Sequence, residues 1–556
     1  MLISNHPQVG NILECPAPFA VPRKELTNGI SIFNGRTVRR ILFSQLVEDV
    51  TRTRQQLEEA GLTPGLCVGL MGENCYEWIV HDLAVLSLGC ISVCFPVDEF
   101  VGKSAEELVE DYDLSLLLVT AKVGKRPDLS WVIVMNAGSN STAAVNPIAQ
   151  QAGLSHRIHG TDVCSVIFSS GTSGQLKALL LSRAGVDATI DVLANDWQMD
   201  VEDGILVALP LSIFQQRLMV YAALRKDAEI LLTDSTNLFR SFKVLRPTIV
   251  LGPPALFEVI ESRFYALPPL RRRVMYLTSA ALSTIPSKRV KEHLRRRLFH
   301  KTHQALGGRV RVLLTGSAPS KLSTLKFFNS AGLALFQAYG LAEVGFIAWN
   351  RPDRNRMLSV GHPIFPDSVT LAEDGEIIVS LPHPQALGYF GVSQAEETNT
   401  FLPEGRIATG DIGRFDREGY LYINGRKKNL ILLQSGEKIN PELLELQLGI
   451  PLGVERIVIV GGGDMPGLVG IVAVSADCTT EQEVRIRSEV QSAIDLLNEQ
   501  MKPASRIVRF IITRIAFQPE NGLLTRNLKL ERSAVSRFFQ RDLNQYEPQV
   551  TGVKSL

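Results

Sequence analysis

Val163-Cys164-Ser165-Val166-Ile167-Phe168-Ser169-Ser170-Gly171-Thr172-Ser173-Gly174-Gln175-Leu176-Lys177-Ala178-Leu179-Leu180-Leu181 is the stretch whose reading decides the fold. Two apolar runs, Val163 to Phe168 and Ala178 to Leu181, flank a segment with two glycines, four hydroxyl side chains and one lysine. A loop of this kind between two short strands can turn several backbone N–H groups toward one point. Its hydroxyls and ammonium add further donors, so it reads as a cradle for phosphate. It is not a Walker A loop, which needs four residues between its glycines and a Lys-Ser/Thr pair directly after the second. Here Gly171 and Gly174 are three apart and Lys177 is followed by Ala178. Standing alone, such a loop also has a plainer reading, as a surface linker.

The bulk numbers set the frame around this loop. A chain of 556 residues is too long for one compact core, and a length prior suggests about three or four units. Hydrophobic content of 45% and charged content of 21% are ordinary for a soluble globular protein. A net charge of +1 gives no global case for nucleic acid or an anionic membrane as partner. The seven cysteines are odd in number and lack paired spacing, which fits a reducing compartment. Cys90 and Cys94 read as small core residues rather than metal ligands. The N-terminus lacks a basic-then-apolar signal pattern. No apolar run reaches the roughly 18 residues needed to span a membrane. The expectation is a cytoplasmic protein, with peripheral membrane contact left open.

Along the chain, strands and helices alternate. Residues 41–60 carry helical spacing at Leu42, Leu46, Val50 and Leu57, with Gly61 and Pro64 just beyond. Cys67 to Met71 and Cys90 to Phe95 read as strands around a helix from Cys75 to Leu88. The alternation returns at 114–136 and 205–252, which is the rhythm of an α/β fold with largely parallel sheets. Strand runs end at Thr315-Gly316-Ser317-Ala318-Pro319 and at Tyr339-Gly340, and such carboxyl ends are where α/β proteins place ligands. After Pro366 short strands and tight turns take over, at Glu373-Asp374-Gly375, at Asp416-Arg417-Glu418-Gly419 and, as a hairpin, at Asn424-Gly425. Asn440-Pro441-Glu442 reads as a helix N-cap. The last ~130 residues hold their own strands and a helix near 481–499.

Four further segments, in order, tie the loop to a family. Gln337-Ala338-Tyr339-Gly340-Leu341-Ala342-Glu343 resembles a tyrosine-glycine-x-threonine-glutamate motif, and Thr409-Gly410-Asp411 a threonine-glycine-aspartate motif. Gly425-Arg426-Lys427-Lys428-Asn429 looks like a hinge. Asn521 to Arg532 resembles the catalytic-lysine segment of long-chain members. With the glycine loop, these resemble the adenylate-forming superfamily of acyl-CoA synthetases, peptide-synthetase adenylation domains and luciferases. Some features also fit coronafacate-ligase-like enzymes.

The resemblance implies an α/β fold. A large N-terminal adenylating domain (residues 1–425) would combine mixed and parallel sheets layered with helices and a β-barrel-like subdomain. A small mobile α+β domain (residues 426–556) would carry the catalytic lysine. It also implies a reaction. A carboxylate is a poor acyl donor because its leaving group would be oxide. Attack on the α-phosphate of ATP converts it to a mixed anhydride and expels pyrophosphate, so two anions must be brought together by positive charge.

By resemblance, Lys529, Glu343 and Thr172 form the catalytic set, with Glu343 and Thr172 holding Mg²⁺. Ser169, Ser170, Gly171, Thr172, Ser173, Gly174 and Lys177 would hold the ATP phosphates. Gly316, Ser317, Ala318, Pro319, Gln337, Ala338, Tyr339 and Gly340 would flank the adenine. Asp411 and Arg426 would take the ribose. Lys428 would be the hinge, and Phe214, Gly252, Ala338 and Gly345 would border the acyl pocket. The residue types alone allow plainer readings: Glu343 as a first-turn helix acid, Asp411 as a turn residue, Lys529 on a solvated face.

The acid would be fatty, alicyclic or aromatic. The acceptor would be the thiol of coenzyme A or of carrier-protein phosphopantetheine, or else an amino acid, giving an amide. A non-catalytic acyl- or nucleotide-binding protein is a rival from another class. The basic cluster Lys288 to Lys301, centred on Arg295, Arg296 and Arg297, reads as a solvated helix face, with a dock for the phosphates of coenzyme A or an anionic membrane as sharper readings. The sequence departs from the family pattern at Leu176, Ala178, Arg183, Ile213 and Ala342. The last replaces a threonine hydroxyl worth roughly 1.5–3 kcal/mol as a hydrogen bond to a charged group.

Overall fold

The computed structural model describes residues 27–120, 122–123, 131–135, 162–170, 176–390, 400–449, 453–462, 465, 467–518, 520–524 and 530–544. Two large sheets dominate. One has seven strands, in the order Ala386–Tyr389, Leu176–Ser182, Val163–Ser170, Ile91–Phe95, Cys67–Met71, Leu114–Val119 and Val132–Val134. The other has nine, and its centre is the parallel set Leu335–Leu341, Val312–Thr315, Ile249–Gly252, Gly204–Val207 and Glu229–Leu232. Both are mixed, because antiparallel strands close both edges of the nine-stranded sheet and one edge of the seven-stranded one.

A layer of helices fills the space between the sheets. Phe43–Glu59, Tyr76–Ser87, Arg183–Asp196 and Phe214–Lys226 share one core with side chains from both sheets, among them Val68, Leu70, Ile205 and Val207. Tyr76–Ser87 is buried along its whole length, as expected of a helix covered on every side. A second core lies on the outer face of the nine-stranded sheet under the helices Leu238–Leu245, Pro254–Tyr265 and Leu322–Ser330. A third lies under Ala105–Tyr112 on the far side of the seven-stranded sheet.

One polar group is buried in the middle layer. Arg217 and Asp82 form an ion pair at 2.8 Å with side chains 1% and 2% exposed. Tyr221 donates to Asp82, and Arg217 also donates to Ser165 Oγ, which in turn donates to the Ser92 carbonyl. This chain of bonds ties both middle helices to the seven-stranded sheet.

Beyond these lies a five-stranded antiparallel sheet that curls as a half-barrel, with Val369–Leu371, Glu376–Ser380, Arg406–Phe415, Phe401–Leu402 and Leu421–Arg426. The expected turns at Asp374-Gly375 and Asp416–Gly419 connect its strands. The hairpin expected at Asn424-Gly425 does not form. The strand Leu421–Arg426 continues through both residues with a register shift at Asn424, Gly425 standing opposite Ile412 and Arg426 opposite Asp411. Gly425 has φ 125°, and a Cβ there would come within 2.4 Å of Asn440 Nδ2, so the glycine serves a close approach rather than a turn.

The C-terminal part is a separate three-stranded sheet, Val454–Val460, Leu468–Val474 and Ile507–Thr513, covered by Pro441–Leu448 and Thr480–Asn498 on one core and by Arg532–Phe538 on another. Asn440 caps Pro441–Leu448 by accepting from the Glu442 amide, as its sequence predicts.

Candidate active site

Lys177, Glu343, Tyr339, Asp411 and Arg426 lie where strands of the two large sheets and the half-barrel meet. The strands Val163–Ser170 and Leu176–Ser182 are antiparallel, with Ser169 opposite Lys177 and Ser170 opposite Leu176. The candidate phosphate segment therefore connects the two strands of a β-hairpin. Gly171, Thr172, Ser173 and Gly174 lie outside the described residues, as does Lys529. Lys177 is described, and its ammonium lies 4.8 Å from the centre of the Tyr389 ring. Tyr389 donates from its hydroxyl to Glu343 Oε1 at 2.9 Å. One aromatic side chain thus connects the lysine of the phosphate loop to the candidate metal carboxylate.

Glu343 occupies the turn of a second hairpin, between Leu335–Leu341 and Gly345–Trp349, and not the first turn of a helix. The strand expected to stop before Tyr339 continues through Tyr339 and Gly340 to Leu341. Gly340 and Gly345 make this tight pairing feasible. A Cβ on Gly340 would meet the Gly345 carbonyl oxygen at 2.2 Å, and Gly345 has φ 85° with Gln385 in the space beside it. Ala342 lies in the same turn, partly buried against the central core.

Tyr339 turns from this strand toward the half-barrel and donates to Asp411 Oδ2 at 2.7 Å. Arg426, across the strand pair, reaches Asp411 Oδ1 at 3.2 Å. Asp411 is 4% exposed. Burial raises its carboxyl above the ordinary carboxylate range, against the pull of Arg426 and the Tyr339 hydroxyl, while Glu442 and Glu343 add to the rise. Burial, then the charge of Asp411, pushes the Tyr339 hydroxyl well above the usual phenol range. Thr409 fixes the local backbone by accepting from the Asp411 amide and donating to the Ile377 carbonyl.

The segment Gly316-Ser317-Ala318-Pro319 follows the strand Val312–Thr315 at its carboxyl end. Ser317 is exposed with φ 71°, an uncommon conformation for a non-glycine residue. Gly316 packs against Ala338, whose carbonyl oxygen would be 3.0 Å from an added Cβ. Gln337 is buried beside it. Lys428 lies in the short 3₁₀ turn Lys427–Asn429 directly after Arg426.

The four acyl-pocket candidates do not all converge. Phe214 and Ala338 share the central core, and the Arg217 guanidinium lies 5.4 Å from the Phe214 ring centre. Gly252 instead faces Leu256 in the outer core, and Gly345 faces Gln385. Ile213, where the family pattern has histidine, is 40% exposed at the start of the Phe214–Lys226 helix.

Among the described residues, no three His, Cys, Asp or Glu side chains cluster as a metal site. Glu343, with one oxygen taken by Tyr389, offers a single carboxylate. That donor set fits Mg²⁺, which keeps several waters and binds through one or two carboxylates plus substrate phosphates. Tyr389 was not found from the sequence. Its signal, an aromatic residue in Gly388-Tyr389-Phe390, says nothing without the pairing of Tyr389 with Leu179 that brings it to Lys177.

Comparison with known proteins identifies the family and the fold. Residues 24–388 match the family model described as AMP-binding enzyme, and residues 428–549 match the AMP-binding enzyme C-terminal domain. The long-chain-fatty-acid–CoA ligase FadD15 of Mycobacterium tuberculosis is 26% identical over 539 residues, covering 87% of this chain and 88% of its own. Long-chain-fatty-acid–CoA ligase 1 of Homo sapiens is 24% identical over 553 residues, covering 86% and 78%. Among solved structures, ATP-bound MatB from Rhodopseudomonas palustris superposes with a TM-score of 0.68 at 18% identity, covering 94% of this chain and 98% of its own. The amide bond synthetase McbA from Marinactinospora thermotolerans gives 0.66 at 20% identity, covering 93% and 98%. At such identities the structures share the fold.

Proposed function

Because this chain belongs to the AMP-binding enzyme family, we propose that it is an ATP-dependent carboxylic acid ligase. It activates an apolar acid (fatty, alicyclic or aromatic) as an acyl-adenylate, releases pyrophosphate, and transfers the acyl group to a thiol of coenzyme A or of carrier-protein phosphopantetheine. A cytoplasmic setting is part of this proposal. The observation that carries it is the joining of Asp411, Tyr339 and Arg426 on one side with Glu343, Tyr389 and Lys177 on the other.

MgATP, when bound, supplies the electrophilic α-phosphate and the pyrophosphate leaving group. The chain's own groups do the rest. Asp411 accepts from the ribose hydroxyls, and the charge of Arg426 opposes the burial that raises its carboxyl. Ser317 and its neighbours line the adenine with Tyr339. Glu343, held in place by Tyr389, offers its second oxygen to Mg²⁺. Lys177 and the hairpin tip take the terminal phosphates, while Lys529 neutralises the approaching carboxylate and α-phosphate. Preorganised donors of this kind are typically worth about 10²–10³ in rate each.

A second reading, transfer to an amino acid to give an amide, is favoured by the departures at Ile213 and Ala342. One experiment separates all readings. Pyrophosphate release is measured with a panel of carboxylic acids, and the products formed with coenzyme A or with mixed amino acids are identified by mass spectrometry. Thioester products are expected. Amide products alone would move the assignment to the second reading. ATP binding without turnover on any acid would make the chain a non-catalytic binding protein.

A further inference from the structure

Residues 262–309 hold twelve lysines and arginines and a single acid, Glu292. In a chain of net charge +1 this leaves the remainder strongly acidic, so the basic charge is concentrated in one place. The segment forms the helices Pro269–Leu282, Lys288–Leu298 and His300–Ala305, on the outer side of the nine-stranded sheet. Arg295 pins the first two together by donating to the Ser279 carbonyl and to Ser283 Oγ.

The Pro269–Leu282 helix carries an apolar stripe on the wrong side. Its inner face is Met275, Tyr276 and the buried Ser279, packed toward the outer core. Leu270, Val274, Leu277 and Ala281, spaced four, three and four apart, form the opposite face. Leu270 is 75%, Val274 52% and Leu277 62% exposed. Arg271 and Arg273, both exposed, flank the stripe. On the neighbouring helix Val290 is 49% exposed, beside exposed Arg289 and Arg297. A surface helix ordinarily turns its apolar stripe to the core. No helix among the described residues is long and apolar enough to cross a membrane.

We propose that this helical pair is a docking face for an anionic lipid surface, with the Leu270–Val274–Leu277 stripe entering the acyl boundary and the arginines on the headgroups. An apolar stripe bordered by cations is the composition of helices that lie in the membrane interface. Long basic side chains extend toward headgroups while their stems cover apolar surface. Each lysine or arginine near an anionic leaflet strengthens binding about fivefold, and salt screens the effect. Nucleic acid would use the arginines but leave the leucines in water. A single coenzyme A would engage few of the charges.

The test is cosedimentation of the full-length protein with phosphatidylcholine vesicles and with vesicles also containing phosphatidylglycerol, at low and raised salt. Pelleting with the anionic vesicles, little with the neutral ones, and release by salt are expected. L270S/V274S/L277S is expected to weaken binding at least about tenfold. R271Q/R273Q/R289Q/R297Q is expected to weaken it more, at about fivefold per charge. All seven side chains are exposed, and unchanged circular dichroism would confirm that the variants fold. Absence of pelleting with anionic vesicles at low salt would overturn the proposal. So would equal pelleting by the wild type and the serine variant, which would leave a purely charged face suited to an acidic protein.

Discussion

At the scale of single residues, Asp411 pits stability against function. Its carboxyl is raised above the ordinary range, chiefly by burial. The folded protein therefore holds that proton more tightly than the unfolded chain. The stability this gives is complete below the ordinary carboxylate range and is lost as pH rises through the raised value. Asp411→Asn removes that loss and keeps an acceptor for the Tyr339 hydroxyl. Relative to wild type, its melting temperature is expected to gain more at pH 7 than at pH 4, while ATP binding falls sharply. A pH-independent difference would contradict the burial argument. Tyr389 makes a different case. Tyr389→Phe keeps the ring beneath Lys177 and removes the hydrogen bond to Glu343. A hydrogen bond to a charged group is worth roughly 1.5–3 kcal/mol, so adenylation is expected to slow about 10- to 100-fold. The Mg²⁺ concentration needed for half-maximal rate is expected to rise, which a titration of pyrophosphate release against Mg²⁺ reads directly.

At the scale of elements, the buried Asp82–Arg217 pair fixes how the Tyr76–Ser87 and Phe214–Lys226 helices meet the seven-stranded sheet. Asp82→Ala leaves the Arg217 charge buried and unpaired. Such losses cost roughly 3–5 kcal/mol, and replacing both partners by apolar residues costs much less. Chemical denaturation of D82A against D82A/R217M checks this, and equal destabilisation by both would argue against a buried-charge penalty. Much of this architecture was legible in the sequence, because buried strands such as Cys67–Met71 and amphipathic helices such as Phe43–Glu59 write their period into the order of residues. The site's motifs were legible for a related reason: glycines, hydroxyls and charges recur where phosphate must be held. What the sequence could not show depends on contacts between distant segments. Asn424-Gly425 has the local chemistry of a turn, but Asn440 fills the space a side chain would take, and pairing with the Arg406–Phe415 strand extends it. Tyr389 enters the site only through a strand register that joins residues some two hundred positions apart.

At the scale of the whole molecule, the residues proposed to bind the nucleotide come from three sheets rather than one. The hairpin Val163–Ser182 carries Lys177, the Leu335–Trp349 hairpin carries Tyr339 and Glu343, and the half-barrel carries Asp411. The half-barrel also leads into the C-terminal part. Arg426 lies directly opposite Asp411, Lys427 and Lys428 follow at once, and Asn440 both caps the next helix and packs over Gly425. The proposed pivot, Lys428, is thus two residues beyond Arg426, the residue in register with Asp411. Under the proposed function, a swing of the C-terminal part about Lys428 would pull on the strand that carries Arg426, and by reciprocity an occupied ribose site would load that swing with the same free energy. Letting go of the spent nucleotide and resetting the small domain would then be a single mechanical event.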